Sequence, residues 1–184
     1  MSNFDELETF EVRAAREDRR TELRDYARLQ LDDGVSSAQA LVNIVAKAVD
    51  LSAGSPRQYE NRSEQVLNDL FAVVIGDGWE TGDGRGTGPY YVGTGYAGGS
   101  VPFFGDDGFK PTFRDPQGNP GFQVQHAIAG LVISYQFGWA VEQYAKFQDE
   151  EAEDDRLYDA MFAIGNSLAS IFGDEDIESL PQAV

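Results

Sequence analysis

The chain has no cysteine. Disulfides, zinc–thiolate centres and thiol chemistry are therefore excluded, and the redox compartment is left open. Lysine is scarce: Lys47, Lys110 and Lys146 stand against eleven arginines. His126 is the only histidine, so no HxxxH or HExxH metal spacing exists. No Gly-Lys-Ser/Thr phosphate loop occurs. The most apolar segment, 127–141, is interrupted by Ser134 and Gln136 and is too short to span a bilayer. The first residues, MSNFDELETF, lack the basic and apolar portions of a secretory signal. A soluble chain is expected, cytoplasmic or exported without a signal peptide.

What is present is acid. The net charge is -18, from 32 Asp and Glu against 14 Lys and Arg. Such a surface argues against nucleic acid and anionic membranes as partners. It favours cationic partners or divalent ions. Many carboxylates with few lysines also fit salt adaptation, although a GC-rich genome would equally favour arginine. At 184 residues, 41% hydrophobic and 12% aromatic, the chain is expected to form a single domain, 1–184, with a real core.

Residues 4–31 read as helix, within an N-terminal charged segment over 1–33. Leu7, Phe10 and Ala14 make one apolar stripe; Leu23, Tyr26, Ala27 and Leu31 make another. Between them REDRRTE, residues 16–22, has no apolar residue. That predicts a solvated helix face, or a break near Thr21. Asp32-Asp33-Gly34 should end the element, and Ser36 or Ser37 should cap the next. The second helix shows Ala38, Leu41, Val42, Val45 and Val49 on one face, with Gly54 and Pro56 closing it. A third starts near Asn61 and buries Val66, Leu67, Leu70, Phe71 and Val74 before Gly76. A fourth, over 120–148, begins at Asn119-Pro120. It is apolar nearly all round from Ala127 to Val141, which predicts a buried central helix. The acidic run DEEAEDD, 149–155, reads as a solvated turn rather than a calcium loop. A last helix follows through Leu157, Met161, Ile164, Leu168 and Ile171, and 174–184 reads as a loose acidic tail. The fold class is thus mainly α, with about five helices.

Fourteen of the twenty glycines fall between Gly76 and Gly121. This Gly/aromatic lobe, 76–119, carries Trp79, Tyr90, Tyr91, Tyr96, Phe103, Phe104, Phe109 and Phe113. A small β-hairpin is possible at 89–92 and 101–104, with Pro102 restricting the second strand to an edge. Gly93-Thr-Gly95-Tyr-Ala-Gly98 matches GxGxxG, but Ser100-Val101-Pro102 will not start the helix that a dinucleotide needs. Asp106-Asp107-Gly108 reads as a turn. Arg85, Lys110 and Arg114 are the cations of the lobe, and in so acidic a chain pairing with nearby aspartates is their default.

Glu80 and Asp83 open this lobe just after a helix. A carboxylate at a helix end before a small hairpin resembles the layout of lysozyme-like glycoside hydrolases, where a second carboxyl lies across the cleft. There is no sequence match to that family. Trp79 would desolvate Glu80 and raise its pKa. On this reading Glu80 is the general acid, Asp83 or Asp115 the second carboxylate, and His126 a supporting group. A neutral imidazole at His126 can also act as a base or metal ligand, with Asp106, Asp107 and Asp115 nearest in sequence. The other readings are that Glu80 and Asp83 are turn residues and His126 a core histidine bonded to a loop carbonyl. Two functions remain open: a hydrolase acting on a glycan, or a non-catalytic interaction or structural protein whose aromatic lobe docks a partner. No cofactor is implied, a divalent cation aside, and the sequence does not fix the oligomeric state.

Overall fold

The structure is a computed structural model describing residues 10–55, 62–75, 104–114, 123–137, 156–170 and 177–184. The described residues are mainly helical and contain no strand. In chain order the helices are α1 (Phe10–Asp32), α2 (Ser37–Ser52), α3 (Arg62–Val74), α4 (Gln123–Phe137), α5 (Arg156–Ser170) and the short α6 (Leu180–Ala183). Among the described residues a 3-10 turn, Pro111–Phe113, precedes α4. The expected hairpin lies mostly outside the described residues, as do the 149–155 turn and the extension of α4 to 148.

α1 is one unbroken helix, with no break at Thr21. It stops in a Schellman arrangement. The Val35 N–H donates to the Gln30 carbonyl at 2.9 Å, and the Gly34 N–H to that of Leu31 at 3.0 Å. Gly34 takes the left-handed φ of 68° that this stop demands. Ser36 then caps α2, its side chain accepting from the Gln39 N–H. So short a turn folds α2 back along α1. The cross-links run antiparallel: Asn43 donates to Gln30 at 2.6 Å, and Lys47 to Glu22 at 2.6 Å. That Glu22 bond raises the Lys47 pKa above its ordinary 10.5. Lys47 also lies 5.9 Å from the Tyr26 ring centre.

α3 packs on α1 and α2, completing a three-helix unit. Every residue of α3 except Glu64 is buried. The expected Val66, Leu67, Leu70, Phe71 and Val74 are inside, and so are Arg62, Ser63, Gln65, Asn68 and Asp69. α4 packs on α3 and α2 and makes its most extensive contact with α5. Val124, Ala127, Ile128, Ala129, Leu131 and Val132 of α4 are fully buried. α5 comes close because residue 165 is glycine. A Cβ there would lie 1.9 Å from Ser134 Oγ and 2.4 Å from the Leu131 carbonyl oxygen. Met161 and Phe162 of α5 enter the same core.

Two sequence expectations are revised by the described residues. The 16–22 stretch is solvated on one face only: Glu17, Asp18, Thr21 and Glu22 are exposed, whereas Arg16, Arg19 and Arg20 are buried. The heads of Arg19 and Arg20 find the buried carboxylate of Asp69, and Arg16 bonds to its exposed neighbour Glu17. The 174–184 tail is not loose over its last eight residues. Ile177 and Leu180 are fully buried, because the two apolar side chains three apart sit on one face of a short helical turn against α2.

Candidate functional site

Of the residues expected to carry chemistry, Glu80, Asp83 and Asp115 lie outside the described residues. His126 sits half-buried in the first turn of α4. Among the described residues no group of three or more His, Asp and Glu side chains could hold a metal ion. No described helix is long and apolar enough to cross a membrane.

Two other places concentrate structure. The first is a buried polar junction between α1, α2 and α3. Asp69 is 5% exposed and takes two guanidiniums on one carboxylate. Arg19 Nε donates to Oδ2 at 2.8 Å and Arg20 Nε to Oδ1 at 2.9 Å. Arg19 Nη1 also donates to Ser55 Oγ at 2.9 Å. At the start of α3, Arg62 extends three N–H groups in three directions. Nε donates to Ser52 Oγ at 2.7 Å and Nη2 to the Val49 carbonyl at 2.7 Å, while Nη1 pairs with Glu178. Both oxygens of this buried carboxylate are engaged by guanidiniums from α1, which ties α1 to α3. We read this junction as fold-holding. Elsewhere, the side-chain amides of Gln65 on α3 and Gln123 on α4 are buried with no hydrogen-bond partner for nitrogen or oxygen among the described residues.

The second place is an open cleft of about 440 Å³ between α2, the 108–113 segment, α5 and the 183–184 end of the chain. Its floor and walls are mostly apolar: Ala38, Leu41 and Val42 from α2, Phe109 and Phe113 from the lobe, and Ala160, Met161 and Ile164 from α5. Ser36, Gln39 and Lys110 supply the polar edge, and among the described residues no Asp, Glu or His lines it. The volume is that of a ligand-sized site.

The lobe is fixed to α2 by its own turn. The Ala38 N–H, one of the unsatisfied donors at the α2 N-terminus, donates to the Asp107 carbonyl at 3.0 Å. Gly108 then turns at φ 80°, and a Cβ on it would lie 2.6 Å from Ser36 Oγ. Only glycine meets both conditions. Phe109 N–H closes the turn onto the Asp106 carbonyl at 3.1 Å and buries its ring. Arg114 holds the segment's far end, donating from Nε to the Phe109 carbonyl at 3.0 Å, with the Asp106 carboxylate 3.8 Å away. The expected Asp106-Asp107-Gly108 turn and the expected pairing of Arg114 with an aspartate are both present.

Sequence reasoning missed this cleft, although a signal existed. The predicted α2 stripe divides: Leu41, Val45 and Val49 are core, whereas Ala38 and Val42 are only half-buried. An apolar stripe wider than one neighbour can cover was visible in the sequence. Comparison of the chain with protein-family models, with curated proteins and with solved structures returns no match.

Proposed function

We propose that this protein is a non-catalytic docking module, and that the cleft between α2, the aromatic lobe and α5 takes apolar side chains from a cationic partner segment. The observation that carries this reading is the cleft itself, a mostly apolar concavity on an acidic protein with no Asp, Glu or His side chain among its described lining residues. Exposed Asp107 and Asp159 adjoin the lining residues Gly108 and Ala160 in sequence. The net charge of -18 adds a long-range field that draws positive partners in. Apolar side chains supply affinity once the partner arrives, and the charge supplies encounter rate. The same acidity with three lysines supports salt adaptation as the setting in which the module works.

The test is a fluorescence-anisotropy titration with a labelled cationic amphipathic helical peptide and an acidic peptide of the same apolar pattern. The cationic peptide should bind and the acidic one should not. Ala160→Phe fills the cleft without changing charge and should weaken binding by about tenfold or more. Equal binding to Ala160→Phe would mean that charge alone holds the peptide, and the cleft would lose its role. A hydrolysis screen on peptidoglycan and simple polysaccharides addresses the glycan-hydrolase reading. Activity in the wild type that Glu80→Gln removes would replace the docking module with that enzyme.

A further inference from the structure

We propose that Arg62 and Glu178 form a latch holding residues 177–184 against α2, and that this latch sets the wall a partner segment meets in the cleft. The latch itself rests on the fold; its consequence for binding rests on the docking reading above. Ala183 and Val184 line the cleft, so the position of this segment shapes the site. Within it, the Gln182 and Ala183 N–H groups donate to the Ser179 carbonyl at 3.1 and 3.2 Å, and the Val184 N–H to that of Leu180 at 3.1 Å. Residues 179–184 therefore form one turn, and the anchors at Ile177, Glu178 and Leu180 together set the wall.

Three anchors hold the segment. Ile177 and Leu180 are fully buried, and Glu178 pairs with Arg62. The pair is unlike an ordinary surface bridge. The Arg62 side chain is only 10% exposed, and two of its N–H groups are already committed to Ser52 and Val49 on α2. Its guanidinium is therefore aimed before Glu178 arrives, and little side-chain entropy is lost on pairing. Glu178, 59% exposed, is the accessible half. Arg62 thus couples the end of α2, the start of α3 and the cleft wall through a single side chain.

Hydrogen exchange of the full chain tests the latch, with Glu178→Gln compared against Asp18→Asn, which makes the same charge change at an exposed site on α1. Glu178→Gln should speed exchange of the Gln182, Ala183 and Val184 amides by about fivefold or more, the scale of one charge-assisted hydrogen bond. The core amides of α2 and α3 should be unchanged. Exchange matching that of Asp18→Asn would overturn the latch. In the peptide titration, Glu178→Gln should lose affinity roughly threefold or more while Asp18→Asn does not. Faster exchange with unaltered affinity would overturn the link between latch and cleft. Faster exchange in a protein that binds no peptide in any form would leave the latch standing and sink the docking reading.

Discussion

Asp69 is the buried acid that ties α1 to α3. Its carboxylate joins Arg19 and Arg20, and all three are almost wholly out of water. Such a pair contributes little net stability against a hydrophobic replacement, but removing one partner strands the other in a dry site. Asp69→Asn should therefore cost about 3–5 kcal/mol in urea unfolding. Glu22→Gln, which breaks the half-exposed tie to Lys47, should cost under about 1 kcal/mol. A loss at Asp69 no larger than that at Glu22 would show that the arginines do not depend on it. The sequence could not reveal this. REDRRTE reads as a solvated face because Asp69, the buried acid that Arg19 and Arg20 meet, lies some fifty residues away, on another helix.

Among the elements, the α4–α5 pair turns on one missing side chain. Gly165 sits where any Cβ would strike a side-chain oxygen and a backbone oxygen of α4. Gly165→Ala should destabilise the protein by about 1–3 kcal/mol despite the better helix propensity of alanine. Combining it with Ser134→Ala removes the 1.9 Å clash but leaves Leu131 O at 2.4 Å. The double variant should recover only part of the loss in thermal unfolding; full recovery would mean that the backbones can separate freely. Element boundaries were far more legible than these contacts. Gly34, Ser36 and Gly54 act through local backbone chemistry, so they mark the ends of α1 and α2 without tertiary information.

For the whole molecule, charge dominates. The net charge of -18 opposes compaction through self-repulsion, and the described ion pairs at the surface, such as Arg28–Asp25 and Lys47–Glu22, are few. Salt weakens both, but the repulsive excess is larger. Raising NaCl from about 0.1 M to about 1 M shortens the screening length from roughly 10 Å to roughly 3 Å and should raise the Tm. A falling Tm in calorimetry would mean that specific ion pairs outweigh the net repulsion.

By itself the sequence determined the helical class, the caps of α1 and α2, the Asp106–Gly108 turn and the acidic exterior. Each depends on neighbours a few residues apart or on composition alone. Tertiary structure decided which polar residues go inside. It buried Arg16, Arg19, Arg20, Gln65 and Asp69, drew 177–184 down onto α2, and left Ala38 and Val42 facing a cleft. Those outcomes depend on partners far away in the chain, from fifty residues for Arg19 and Asp69 to more than a hundred for Arg62 and Glu178. Periodicity along one helix records that a face is apolar; which neighbour covers it, and where cover runs out, is fixed only when the helices pack.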